Sequence, residues 1–150
     1  MSLLFTLHLL SASLWVGGMF FAYVVLRPVA ASLLQPPLRL PLWQQSFQRF
    51  FLWVWAFVLL LPLSGYAMIF SNYQSMANTP IAVHIMQLLG WLMILIFVYV
   101  YFVPYKKMRI CLADAKLPEA GLCLNLIRKL IAINLGIGLL TLVIASTTRF

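Results

Sequence analysis

Two histidines are the side chains of this sequence best suited to bind a metal or a metal-containing cofactor. They are His8 and His84, and the 150-residue chain has no others. Each lies within an apolar stretch, "LHLLSASLW" and "VHIMQLLGW" respectively. Neutral imidazole is the commonest metal-binding side chain, and an ionisable residue inside an apolar helix is a candidate for function. The two histidines therefore predict a shared binding site.

Each histidine has similar neighbours at the same helical spacing. Residues at i, i+3 and i+7 share one face of a helix. On that face, each histidine is accompanied by a polar residue, either serine or glutamine, and by a tryptophan. The two sets are His8, Ser11 and Trp15, and His84, Gln87 and Trp91. We expect the two faces to point toward a common interior of the protein.

The favoured occupant of that interior is b-type heme, with His8 and His84 as opposed axial ligands. Zinc and di-iron sites need more ligands than two histidines, and the apolar stretches of the chain contain no carboxylate or cysteine. The other residues predicted to line the heme site are Ser11, Trp15, Gly18, Gly65, Gln87, Trp91, Thr141 and Arg149. The glycines would relieve crowding, and the arginine would meet a heme propionate.

Copper is the alternative occupant. Soft thioether groups select Cu(I), and Met86 lies two residues beyond His84. Met68 and Met76 lie nearby on the same predicted side of the membrane. A copper site would use His8, His84 and Met86 as ligands. In a further alternative the histidines only pack, the methionines fill gaps, and the protein carries no cofactor.

The composition places these residues in a membrane. Hydrophobic residues make up 65% of the chain and charged residues only 8%, whereas a soluble domain has about 25% charged residues. Four apolar segments, at about 3–26, 47–70, 81–103 and 130–147, approach the ~20 residues that cross ~30 Å of hydrocarbon. Backbone groups in lipid must be satisfied within their own segment, so these segments are helices. The sequence predicts an all-α integral membrane protein, a four-helix bundle forming a single domain over residues 1–150.

Prolines are predicted to shape the helices. Arg27-Pro28 is expected to end the first helix, because proline disrupts a helix interior. The proline-rich stretch "LLQPPLRLPLW" is expected to lie along the membrane surface as a loop. Pro62 is expected to kink the second helix.

The basic residues predict the orientation. Nine of the ten Lys and Arg residues flank the first or the third connection, and Arg149 is the exception. The positive-inside rule places these connections in the cytoplasm and both termini in the periplasm of a bacterial inner membrane. The net charge of +8 reflects this orientation, and we expect no binding to nucleic acid. His8 and His84 then lie at similar depths, about 7 Å and 6 Å along their helices from the periplasmic surface.

The stretch "LHLLSASLWVGGMFFAYVVLRP" resembles the CopD family of bacterial inner-membrane proteins associated with copper resistance. The likeness continues through "SGYAMI", "HIMQLLGWLMILIFVYVYFVPYKKMR" and "IRKLIAINLGIGLLTLV", so it covers nearly the whole chain. It is closest to the short members of the family with four helices. The resemblance implies a role in copper uptake or tolerance, with the histidines as candidate metal ligands.

A more distant resemblance is to the HemJ type of protoporphyrinogen oxidase, a four-helix membrane protein that binds heme b. The shared feature is an opening helix with a histidine followed by a tryptophan. That family also has a lysine in its third helix, whereas the third helix here reads "VHIMQLLGWLM". The resemblance therefore implies heme binding more than oxidase activity.

We expect one-electron transfer through heme b, between the quinone pool or a respiratory partner and a periplasmic acceptor. Copper uptake, tolerance or delivery is the alternative, and a cofactor-free accessory subunit of a membrane complex is another. A membrane redox partner or a second copy of the chain is the expected protein partner. The sequence has no nucleophile motif, paired carboxylates or phosphate-binding loop that would indicate a hydrolase or a transferase.

Overall fold

The computed structural model of the chain describes residues 2–147. Four long helices account for nearly all of these residues, and no strand is found among them. The helices are α1 (2–33), α2 (Pro36–Tyr73), α3 (Ile81–Ala113) and α4 (Leu117–Thr147). All four are long and apolar enough to cross a membrane, which confirms the predicted all-α membrane bundle.

The helices are longer than the apolar segments of the sequence, and the larger extensions all lie at one end of the bundle. This end, where α1 and α3 finish and where α2 and α4 begin, is called the basic end because it carries the lysines and most of the arginines among residues 2–147. Its two connections are residues 34–35 and 114–116. The proline-rich stretch is therefore not a surface loop. Proline suits the first turn of a helix, where its missing N–H needs no partner, and Pro36 and Pro37 begin α2.

Two segments of π-helix interrupt α1 and α3 near the basic end. They are Phe21–Leu26 and Tyr101–Tyr105. Each is associated with a proline, Pro28 just after the first segment and Pro104 within the second. The prediction that Arg27-Pro28 ends the first helix is wrong, because α1 continues to residue 33. A π-turn is wider than an α-turn, which gives room for a ring that would otherwise clash with the preceding turn.

The buried core fills the basic end and the middle of the bundle. At the other end, residues 3–10 of α1, 81–92 of α3 and 139–147 of α4 include no buried side chain. The corresponding part of α2, residues 59–73, has only Ser64 and Ile69 buried. We call this part of the bundle the open end. Its helices carry apolar surface that no other element of the described chain covers, so lipid is its expected contact.

An aromatic cluster forms the centre of the core, with Phe51 of α2 in its middle. The Phe51 ring stacks on Phe47 at a centroid distance of 5.2 Å. It also meets Phe97 at 5.4 Å and Tyr105 at 5.0 Å, both edge-on. Edge-to-face and offset aromatic pairs add stabilisation beyond their buried area. These contacts join α2 to α3.

Gly138 of α4 lets side chains of α1 and α3 pack closely against that helix. A Cβ atom added at Gly138 would lie 2.7 Å from the Val16 side chain and 3.1 Å from that of Met93, so only glycine fits there. One turn away, the Asn134 amide donates a hydrogen bond of 3.3 Å to the Met93 carbonyl. Small residues and interhelical hydrogen bonds are how helices associate in lipid, where tails are as apolar as the side chains.

Candidate functional site

His8 is held against α2 by a hydrogen bond that determines which ring nitrogen carries the proton. Its Nδ1 lies 2.8 Å from the Ser64 hydroxyl oxygen. The Ser64 hydroxyl donates its own hydrogen to the Leu60 carbonyl one turn earlier. Since the hydroxyl has a single hydrogen, it must accept from Nδ1–H of His8. In this tautomer the Nε2 atom keeps its lone pair. The imidazole also makes a hydrogen bond to the Leu61 backbone carbonyl of α2.

Gly65 makes the close approach of this imidazole possible. A Cβ atom at Gly65 would lie 3.3 Å from Cε1 of His8, which is tighter than most real contacts. Pro62 lies one turn before Gly65, within an α2 helix that continues to Tyr73. The sequence placed Gly65 in the site to relieve crowding, and the structure places it directly beside His8.

His84 lies in the first turn of α3, half-buried, just after Pro80. Its side chain makes no hydrogen bond in the described part of the chain. Its two predicted neighbours do find a partner: the Gln87 amide donates a hydrogen bond to the Tyr66 hydroxyl, and the Trp91 indole N–H lies 3.4 Å from the same oxygen. Tyr66 follows Gly65 directly, so one short stretch of α2 contacts both helices that carry a histidine.

Tyr66 is a site residue that the sequence prediction missed. Its polar group belongs to α2, whereas the histidine faces were sought on the helices that carry them. The available signal was its position in "SGY", which lies near the same level of the bundle as both histidines. A tyrosine hydroxyl in an apolar segment needs a partner, and Gln87 provides one.

Two predicted site residues lie deeper and pack in the core. Trp15 is 2% exposed, and its ring meets Phe97 edge-on at 6.3 Å. A Cβ atom at Gly18 would collide with the Phe50 ring. Since the helical rise is 1.5 Å per residue, these positions lie about 10 Å and 15 Å from His8 along α1. Their observed contacts are with the aromatic core.

The remaining predicted residues are distributed over the open end and beyond it. Ser11 is buried, one turn from His8. The Thr141 hydroxyl donates to the Ile137 carbonyl of its own helix, at 2.9 Å. Met86 is half-buried near the start of α3. Arg149, predicted to meet a propionate, lies outside the described residues.

The donor groups at the open end are imidazole and thioether. No group of three or more His, Cys, Asp or Glu side chains gathers within residues 2–147. A metal bound here would be coordinated by one or two histidines, by methionine sulfur, and by groups from the molecule that delivers the metal. Copper in its Cu(I) state accepts such soft and borderline donors, whereas structural zinc needs four ligands of the histidine, cysteine and carboxylate type.

Four apolar helices and an imidazole held by Ser64 define a polytopic α-helical membrane protein with a candidate ligand-binding end. A family model described as copper resistance protein D (CopD) matches residues 44–148. The chain therefore belongs to the CopD family, which confirms the resemblance seen in its sequence. The match includes Ser64 and His84, whereas His8 lies before it. Comparisons with curated proteins and with solved structures found no match.

Proposed function

We propose that this protein binds copper at its open end and acts in copper uptake or tolerance. The observation that carries the proposal is the His8 imidazole, which Ser64 holds through Nδ1; with the proton on Nδ1, the Nε2 lone pair is available to a metal. Metal-binding histidines usually donate their second ring N–H to a fixed acceptor, which orients the ring. Membership of the copper resistance D family supports copper as the metal.

The proposed ligands are His8, His84 and Met86. His8 is the anchored ligand, because Ser64 and Gly65 position its ring. His84 and Met86 belong to α3, which has no buried side chain over residues 81–92 and is free to adjust toward a bound ion. The thioether favours Cu(I) over harder metal ions.

The proposed copper site faces one particular side of the membrane. The positive-inside rule places the basic end in the cytoplasm, so the open end and its histidines face the periplasm of a bacterial inner membrane. Copper would then reach His8 from the periplasmic side. Heme b and electron transfer, which the sequence alone favours, find no support in the comparisons.

Metal analysis and an absorption spectrum of the purified protein test the proposal. Detergent-purified protein is loaded with Cu(I) under a reducing, oxygen-free atmosphere, desalted, and analysed for copper, zinc and iron. We expect near-stoichiometric copper, little zinc, and no Soret band. A Soret band with iron in place of copper would replace the proposal with heme b, and protein that retains neither metal would be an accessory subunit.

Ser64→Ala should weaken copper binding without unfolding the protein. The variant removes the Ser64 hydroxyl from Nδ1 and leaves the Leu61 carbonyl as the remaining partner of the ring, so the His8 imidazole is held less firmly. Loss of such an outer partner lowers metal affinity by roughly 10–100-fold. Competition with a Cu(I) chelator measures the affinity, and ¹⁵N chemical shifts of the ring report the tautomer.

Ser71→Ala is the matched control, because Ser71 is an exposed serine near the same end of α2. It should bind copper as the wild type does. Ser64→Thr keeps a hydroxyl and should retain most of the affinity. Equal affinities for Ser64→Ala and the wild type would show that the hydrogen bond does not support a metal ligand.

A further inference from the structure

Three arginines from three different helices lie in the same region of the basic end. Arg27 follows the π-helical segment of α1, Arg39 lies in the first turn of α2, and Arg128 lies in the first half of α4. The positive charges of Arg27 and Arg39 both act on the Arg128 guanidinium. We call these three residues the arginine cluster. Like charges repel, so the cluster is costly unless a negative charge accompanies it.

Several N–H donors of the cluster are buried without a hydrogen-bond partner. They are Nε of Arg39, Nε and Nη2 of Arg128, and Nε1 of the neighbouring Trp43. Trp43 is 2% exposed, and the Arg128 guanidinium lies 5.5 Å from the centre of its ring. Buried donors in folded proteins nearly always have an acceptor. These four atoms therefore indicate an acceptor that residues 2–147 do not provide.

The chain offers almost no carboxylate to fill this role. Asp114 and Glu119 are its only acidic residues. Both are exposed, and no ion pair between either residue and the arginine cluster is found within residues 2–147. The best acceptor in the described chain is the Asn125 amide oxygen, 3.5 Å from Nη1 of Arg128. The charge of the cluster is therefore uncompensated by protein groups.

A small cavity lies at the cluster, between α1, α2 and α4. It is lined by Arg27, Arg128 and Trp43 together with Tyr23 and Ile131, and its accessible surface is apolar. Tyr23 belongs to the π-helical segment, and the Arg27 guanidinium lies 4.8 Å from its ring centre. The guanidinium groups of Arg27 and Arg128 therefore lie beside a small apolar cavity.

We propose that the arginine cluster binds the phosphate group of an anionic membrane phospholipid. Guanidinium groups pair with phosphate oxygens through two parallel hydrogen bonds, which would use the unpartnered donors of Arg128. Basic pockets between transmembrane helices at the cytoplasmic side are suited to anionic headgroups. The apolar residues beside the cluster, such as Tyr23 and Ile131, suit the neighbourhood of a lipid better than that of free phosphate.

Thermal unfolding of the detergent-purified full chain tests the proposal. Added lipid should change which protein is the more stable, the wild type or Arg128→Gln. In a neutral detergent, Arg128→Gln should be as stable as the wild type or more so, since it removes a half-buried unpaired charge. With added phosphatidylglycerol, the wild type should gain stability and become the more stable of the two. Lipid affinity, measured by native mass spectrometry, should fall at least roughly tenfold in Arg128→Gln.

Two further variants separate this site from general attraction of charge. Arg49→Gln removes an exposed arginine of α2 and should keep the full gain from phosphatidylglycerol. Arg128→Lys keeps the charge but loses the paired donors, so it should keep only part of the gain.

Comparison of phosphatidylglycerol with phosphatidylcholine and inorganic phosphate shows whether the bound phosphate belongs to a lipid or to a soluble compound. Phosphatidylcholine and inorganic phosphate should each stabilise the wild type less than phosphatidylglycerol does. A gain from inorganic phosphate alone, lost in Arg128→Gln, would identify a soluble phosphate compound and overturn the lipid. No gain from any of the three, or equal losses in Arg128→Gln and Arg49→Gln, would overturn the site itself.

Discussion

His8→Ala should abolish measurable copper retention by the purified protein. The variant removes the one imidazole whose ring is already oriented, with Nδ1–H bound to Ser64. The loss should exceed the ~10–100-fold effect expected when only an outer partner of a ligand is removed. Chelator competition with Cu(I), performed on folded protein checked by circular dichroism, measures it.

Leu10→Ala is the control for this prediction. Leu10 lies two residues from His8 on α1 and is 53% exposed, so its loss changes the lipid-facing surface without removing a donor atom. It should bind copper as the wild type does. His84→Ala should also lose affinity, but less than His8→Ala, because no hydrogen bond holds the His84 ring within residues 2–147. Retention of copper by His8→Ala would remove His8 from the proposed site.

Phe51→Ala should destabilise the fold more than any of the substitutions at the copper site. Phe51 is 3% exposed and its ring meets Phe47, Phe97 and Tyr105, so truncation leaves a cavity where α2 and α3 join. Phe→Ala in the core of a soluble protein costs about 3–5 kcal/mol. In lipid the unfolded state is also apolar, so we expect roughly 2–3 kcal/mol, mostly from lost packing. Unfolding in mixed detergent micelles measures the loss.

The adjacent Leu52 provides the comparison. Leu52 is 70% exposed on the outer surface of α2, where its side chain contacts lipid rather than protein. Leu52→Ala should change the unfolding free energy by no more than a few tenths of a kcal/mol, about the size of a surface substitution. If the two alanine variants unfold alike, the aromatic cluster does not hold α2 against α3.

The four helices could be predicted because backbone N–H and C=O groups in lipid must form hydrogen bonds within their own segment. Phe97 and Leu135, for example, belong to apolar segments long enough to cross the membrane. The length of such a segment is enough to predict a transmembrane helix. The helix ends at the basic end could not be predicted in this way. There, Pro36 begins a helix, whereas Pro28 lies within one. Pro28 follows a π-helical segment, and the hydropathy of the sequence does not indicate such a segment.

The candidate site could be predicted only in part. The sequence assigns Gly65 to the site only as relief of crowding around a heme, and its contact with His8 comes from the structure. The contacts of Gly18 and Tyr66 did not follow, because α1 and α2 are apolar on nearly every side. A helix without a polar face gives no periodic signal to indicate its rotation, so the neighbours of each residue depend on packing alone.

The π-helical segment of α1 and the proposed copper ligand His8 lie far apart on the same helix. His8 lies 13 residues before Phe21, about 20 Å along the axis, and no side chain of residues 3–10 is buried. A tilt of roughly 5° about the segment would displace His8 by nearly 2 Å, about the length of a metal–nitrogen bond. Ser11, Trp15, Val16 and Met19 are buried between the segment and His8, and their packing opposes such a tilt. The middle of α1 therefore helps to fix the position of the proposed copper ligand, in addition to Ser64.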